Sequence, residues 1–378
     1  MKTALFIFSV FVTILWREWR NCAKPVRAFG YVDAIVPAYN EELCIVSTVE
    51  GLMKNPYFGR VIVVNDGSTD GTLAVLRTLE QQYDRLTVVD QQNTGKGGAL
   101  MAGVKVSKAA MVFLTDADTI LPHDDDGIGY MMAEIKRGAD AVGGTPSSNL
   151  AGAGLLPHIR ATCKVPMIII KRTFQQIIGG APFIISGSCG LFRRKVLLDV
   201  PFSDRTKVED LDLSWSLVAK GYKIRQSSRC FTYSQECNGM VAEWRRWRRW
   251  IVGYAVCMRL HRKLLLTRFG LFTILPMFLA VILGVAILVT KLSSVVSGVE
   301  IASIPMFLFP LAWTVISFLI GTVSAFSHKS FWLIPLAPLA IVYLLGVYAI
   351  WLLYGLQALF TGREPERDKP PRYANVVG

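Results

Sequence analysis

Apolar and polar positions divide the chain into an alternating middle and two uniformly apolar ends. Between about residues 28 and 235, short β-branched runs end in polar or acidic residues: VDAIVPAY (32–39), RVIVVND (60–66), LTVVD (86–90) and AMVFLTDAD (110–118). Helix-like stretches at 42–54 and 72–82 lie between them. Strands alternating with helices predict an α/β domain on a mostly parallel, doubly wound sheet. Ligands of such sheets bind beyond the carboxyl ends of the strands, and the distinctive polar residues fall there.

The ends read as membrane segments. Residues 4–16 (ALFIFSVFVTILW) form a short apolar run followed by Arg17, Glu18, Trp19 and Arg20, with no small-residue cleavage site. A signal anchor therefore fits better than a signal peptide. Stretches at about 270–290, 303–326 and 331–359 are each long enough to span a bilayer of about 30 Å. Two segments, 155–180 and 240–268, mix apolar with basic residues and read as interfacial helices.

Composition agrees with this division. Apolar residues make up 52% and charged residues 18%, and mean hydropathy is +0.40. A net charge of +13 would suit nucleic acid, but the basic residues cluster beside apolar runs, as they do at cytosolic membrane flanks. Arg17, Arg20, Lys24 and Arg27 on one side, and Arg245 to Arg268 on the other, place the α/β domain in the cytosol. Three later spans would then export the tail, against Arg363, Arg367, Lys369 and Arg372, which favour the inside. Seven dispersed cysteines without C-x-x-C spacing point to reduced thiols, not to a disulfide framework or a zinc site.

Five polar clusters carry the chemistry. Asp66, in Asn65-Asp66-Gly67-Ser68-Thr69-Asp70, can accept hydrogen bonds from a base or ribose, although an ordinary helix cap uses the same residues. Lys96, in Asn93-Thr94-Gly95-Lys96-Gly97-Gly98, puts a charge and glycine amides where phosphate can approach; the spacing is not that of a Walker loop. Asp116 and Asp118 close a strand two positions apart and can hold a hard cation, Mg²⁺ or Mn²⁺. Glu209-Asp210 starts a helix, where Asp210 can act as general base or merely as a cap. Glu243-Trp244-Arg245-Arg246-Trp247-Arg248-Arg249-Trp250 suits nucleic acid, anionic lipid or a diphosphate clamp. The five together, in chain order on one sheet, select nucleotide-sugar chemistry and remove nucleic acid as a partner.

This order resembles the family 2 glycosyltransferases of GT-A fold, whose pattern is D, DxD, (T)ED and Q-x-x-R-W. The resemblance covers about residues 30–255 and is nearest to membrane synthases of chitooligosaccharide, poly-N-acetylglucosamine, hyaluronan and cellulose type. It adds Pro37, Tyr39 and Glu41 to the nucleotide-binding turn, and Ser186 and Gly187, in Ser186-Gly187-Ser188-Cys189-Gly190, to the acceptor side. By this similarity Asp66, Lys96 and Asp116 bind the UDP-sugar and Asp118 with Asp116 binds the metal. Asp210, beside Glu209, is the base. Arg246, Arg249 and Trp250 hold diphosphate and acceptor. No Thr directly precedes Glu209, and Arg246 replaces the usual Gln, as it also does in lipid glycosyltransferases resembling ceramide glucosyltransferase.

The resemblance implies an anchor at 1–20, a cytosolic GT-A domain at 28–240, and basic amphipathic helices at 241–268. About three membrane helices at 269–361 and a polar tail at 362–378 would follow. The expected activity is inverting transfer from UDP-GlcNAc or UDP-Glc to a growing β-linked polysaccharide at the plasma membrane, with single addition to a lipid as the alternative.

Overall fold

The computed structural model describes residues 24–123, 125–279, 318–326 and 328–364, with isolated positions between 282 and 293. The anchor expected at 1–20, most of the stretch 280–317 and the tail from 365 onward lie outside the described residues.

Eight strands carry the domain: β1 (Val32–Ala38), β2 (Phe58–Asp66), β3 (Leu86–Gln91), β4 (Met111–Leu114), β5 (Thr119–Ile120), β6 (Ala141–Ser148), β7 (Gly190–Arg193) and β8 (Ile224–Ser234). The helices used below are α1 (Ile45–Lys54), α2 (Thr72–Gln82), α3 (Gly95–Val106), α4 (Gly127–Lys136), α5 (Leu155–Phe174), α6 (Arg194–Asp199), α7 (Glu209–Ala219) and α8 (Met240–Leu260). The strands form one sheet in the order β3-β2-β1-β4-β7-β6-β8-β5.

Side chains of a strand alternate between the two faces of the sheet, and both faces here are buried. Ile35, Ile62, Val64, Val112 and Leu114 pack with Leu100 and Val104 of α3 and Leu211 and Trp215 of α7. Their neighbours Ala34, Val36, Val61, Val63 and Phe113 pack with Ile45, Val49 and Leu52 of α1, Leu76 of α2 and Ile128 of α4. Ile45, Val49 and Leu52 recur at the helical period, so α1 turns one stripe inward.

The parallel half of the sheet sets the site. Ala38 lies opposite Asn65, Asn65 opposite Asp90, and Ile35 opposite Leu114. The carboxyl ends of β1, β2 and β4 therefore reach the same edge. Pro37 is tolerated in the central strand because pairing with β4 stops at Ile35.

The sheet is parallel in four of its seven pairings, β1–β2, β1–β4, β2–β3 and β6–β8, as a mostly parallel sheet requires, and mixed through the rest. β7 runs antiparallel between β4 and β6, and β5 pairs antiparallel with β8. The strands beyond β4 lack β-branched runs: β6 contains Gly143, Gly144 and Pro146, and β7 has only four residues.

The segments read as interfacial, 155–180 and 240–268, contain the helices α5 and α8. Among the described residues one helix, Val342–Thr361, is long and apolar enough to cross a membrane; much of the stretches expected at 270–290 and 303–326 lies outside the described residues. That helix packs along α8, where Val252, Ala255 and Val256 meet Ala358.

Candidate active site

The turn after β1 is locked to the turn after β2. Asn40 takes a left-handed conformation (φ 53°), which Asn tolerates better than most residues. Its Oδ1 accepts from the Thr69 N–H at 2.7 Å, and its own N–H donates to Ser68 Oγ at 3.0 Å. The Glu41 N–H donates to Thr72 Oγ1 at 2.8 Å. Glu41 is buried, whereas Tyr39 stays 40% exposed at the sheet edge. Asp66 is buried, and its Oδ1 accepts from the Thr94 N–H and from Gln91 Nε2, both at 2.8 Å. The β2 carboxylate thus fixes the loop that leads into α3.

Lys96, in the first turn of α3, reaches across the strand ends. Its Nζ lies 2.5 Å from Asp116 Oδ1 and 3.9 Å from Glu209 Oε1. Gly187 makes this possible: a Cβ there would stand 2.9 Å from Lys96 Nζ and 3.7 Å from Asp210 Oδ2. One lysine therefore sits among carboxylates that follow β4 and open α7, against Gly187 in the segment before β7.

Asp210 is the perturbed member of the group. Its Oδ2 accepts from the Gly187 N–H at 3.1 Å and its Oδ1 from the Leu211 N–H at 2.9 Å. Burial, followed by the Glu209 charge, pushes its carboxyl above the usual range; Lys96 and the Gly187 N–H oppose that shift. A carboxylate poised upward at the start of a helix is suited to accept a proton.

Asp118 is buried, and its Oδ1 accepts from Thr119 Oγ1 at 3.2 Å. Among the described residues no three His, Cys, Asp or Glu side chains converge as a metal cage. By donor type the Asp116–Asp118 pair still fits a hard divalent cation, because both donors are carboxylates, and Lys96, now against Asp116, would turn from that carboxylate to the diphosphate when the ion binds. A Mg²⁺ or Mn²⁺ ion bound to one or two carboxylates draws its remaining ligands from water and substrate phosphate.

The basic helix α8 divides its residues between two places. Gly253 lets α8 press against Val208, directly before Glu209, and Arg249 Nη1 donates to the Lys207 carbonyl at 3.2 Å. Arg246 instead pairs with Glu236 at 2.8 Å and with Glu243. Trp250 lies under two guanidiniums, Arg160 at 5.3 Å and Arg246 at 5.4 Å from its ring centre. Ser186 Oγ accepts from Arg172 Nη2 at 2.8 Å. The structure thus gathers Lys96, Asp116, Glu209, Asp210 and Gly187 at one point, beside the strand ends bearing Asp66 and Asp118. It sets Arg246 in a buried ion-pair group with Arg160, Glu236 and Glu243. Arg160, Arg172 and Glu236 carry no motif, and only the fold brings them near the site.

The sequence profile of Glycosyl transferase family 2 matches residues 33–200. The uncharacterized glycosyltransferase YaiP of Escherichia coli is 57% identical over 378 residues, covering 100% of this chain and 95% of that protein. The chain belongs to glycosyltransferase family 2. A poly-beta-1,6-N-acetyl-D-glucosamine synthase of Staphylococcus aureus is 30% identical over 271 residues, 66% of this chain and 64% of that relative. This family 2 chain also has the GT-A-like fold of a Pyrobaculum calidifontis mannosyltransferase solved with GDP-Man and Mn²⁺. That likeness has a TM-score of 0.52 at 20% identity, over 67% of this chain and 72% of the other.

Proposed function

We propose that this family 2 enzyme transfers a sugar from a UDP-sugar, of UDP-GlcNAc or UDP-Glc type, to a growing β-linked glycan, with inversion at the anomeric carbon. The observation that carries the reading is Asp210: a half-buried carboxylate with a raised pKa, held by Gly187 and set beside the Lys96 ammonium. The name of the S. aureus relative supports a polymeric β-linked product.

Asp210 takes the proton of the acceptor hydroxyl as that oxygen attacks the sugar from the face opposite the leaving diphosphate. One displacement turns an α-linked donor into a β-glycoside. Tyr39, Glu41 and Asp66, with Pro37 shaping the strand end, receive the nucleotide. Lys96 faces the diphosphate and keeps Asp116, Glu209 and Asp210 from repelling one another. Arg249 closes the diphosphate side, and Ser186, Gly187 and Trp250 form the acceptor side. Asp118 and Asp116 would hold Mg²⁺ or Mn²⁺, which supplies charge neutralisation for the departing nucleotide diphosphate.

We place the catalytic domain on the cytosolic face of the plasma membrane, with α5 and α8 at the lipid surface and Val342–Thr361 as one membrane helix. Arg246 in place of the family's usual Gln favours a second reading, single addition to a lipid acceptor. Purified protein in detergent, given single UDP-sugars with Mn²⁺ or Mg²⁺, tests both by released UDP and product mass. A ladder of sugar masses supports the polymer and one increment on lipid the second reading. A product that retains configuration overturns the mechanism.

A further inference from the structure

Glu236 follows β8 and is buried, with its side chain 2% exposed. Its Oε1 accepts from Lys164 Nζ at 2.6 Å and Ser148 Oγ at 2.7 Å; its Oε2 accepts from Arg246 Nη1 at 2.8 Å and from Arg160. Those donors come from α5, the end of β6 and α8, so one carboxylate joins the sheet to both basic helices. Burial pushes its carboxyl up, but the Arg160 and Lys164 charges and the Lys164 and Ser148 donors outweigh burial and hold it at about 2.

Two of the cations that Glu236 gathers, Arg160 and Arg246, lie over the Trp250 ring. Each such contact is favourable when desolvated. Glu243 shares both arginines, yet it sits on α8 itself and also accepts from Trp247 Nε1 (2.9 Å) and the Tyr343 hydroxyl (2.6 Å). Of the two carboxylates, Glu236 is the one anchored on the sheet. Without its charge, Arg160, Lys164 and Arg246 would face Glu243 alone, and their mutual repulsion would draw the guanidiniums off the ring.

We infer that Glu236 is a positioning residue for the acceptor side, setting the Trp250 ring through Arg160 and Arg246. The inference rests on the reading of Trp250 as acceptor platform. Trp250 is one of nine tryptophans, so its own near-ultraviolet circular dichroism is taken as the difference between proteins with and without Trp250→Phe. Glu236→Gln, with unchanged far-ultraviolet spectrum and elution volume, is expected to remove most of that difference. UDP-GlcNAc turnover with Mn²⁺ should fall about tenfold on Glu236→Gln, but much less when Trp250→Phe is already present. An unchanged Trp250 signal, or an equal loss in both backgrounds, overturns the inference.

Arg160→Lys serves where Glu236→Gln does not fold, since it keeps the charge opposite Glu236 and loses the planar guanidinium. It should weaken the Trp250 signal, and an intact signal again overturns the inference. Failure of the sugar-transfer reading shows itself separately, as no turnover of any UDP-sugar by the unmutated protein. The spectroscopic comparison still decides the role of Glu236 in that case.

Discussion

The backbone N–H of Gly187 donates to Oδ2 of Asp210 across 3.1 Å, so the segment before β7 and the first turn of α7 meet at the proposed base. A side chain at 187 would stand 2.9 Å from Lys96 Nζ, where the third partner enters. The chemistry proposed for the site depends on how these three residues share charge.

Asp210→Asn should lower transfer by about 10²- to 10⁴-fold while leaving UDP-sugar binding, read by calorimetry, within about twofold. The same change should raise the thermal midpoint at neutral pH. The folded pKa of Asp210 is raised above the unfolded value of about 3.9. Its ionised form therefore costs stability above the folded pKa, and that cost disappears as pH falls through the folded pKa toward the unfolded value. A midpoint lowered at pH 7 would count against the shift, and near wild-type transfer would clear Asp210 of the role.

Lys96→Met removes the charge that holds the Asp210 carboxyl down. The acidic limb of the pH–rate profile should move to higher pH, because a less stabilised carboxylate needs a lower proton concentration to ionise. KM for the UDP-sugar should rise about tenfold through lost contact with diphosphate. A limb that stays in place would mean that Lys96 does not act on the base.

Chelation of divalent ions should stop transfer, and Mn²⁺ or Mg²⁺ should restore it. Asp118→Asn should raise the metal concentration needed for half-maximal rate, read by titration, because a neutral amide is a poorer ligand for a hard cation. Full activity in the chelator would remove Asp116 and Asp118 from a metal role.

Gly253→Ala would set a methyl against the Val208 side chain, at the point where α8 touches the start of α7. Overpacking of this kind costs about 1–3 kcal/mol, to be read from denaturant unfolding. Transfer should fall more than stability alone accounts for, since Val208 leads directly into Glu209 and Asp210. A fully stable, fully active variant would mean that the two helices can separate without consequence.

The parallel half of this fold was legible in the sequence and the rest was not, for local reasons. β1, β2 and β3 announce themselves because each is a β-branched run closing on a polar residue. β6 hides because Gly143, Gly144 and Pro146 resemble a loop; only its place between β7 and β8 makes it a strand. The site follows the same division. Lys96, Asp116, Asp118 and Asp210 stand at element ends, where motif and position coincide. The motif predicts Arg246 at the nucleotide, and one of its two partners, Glu243, stands only three positions before it. Its other partner, Glu236, also holds Arg160, 76 positions away, and no periodicity encodes that meeting.

The contacts at the two ends of the apolar region constrain the route of the chain. Arg268 donates to the carbonyls of Ile177 and Ile178, beyond α5. Glu364 accepts from Thr206 Oγ1 at 2.5 Å and from the Lys207 N–H at 2.7 Å, just ahead of the proposed base. Both ends of the apolar region are thus tethered to the α/β domain, one behind α5 and the other just ahead of α7. In the membrane placement proposed above, Arg363 then lies on the same side as Asp210, which is where a basic residue after an apolar run is favoured.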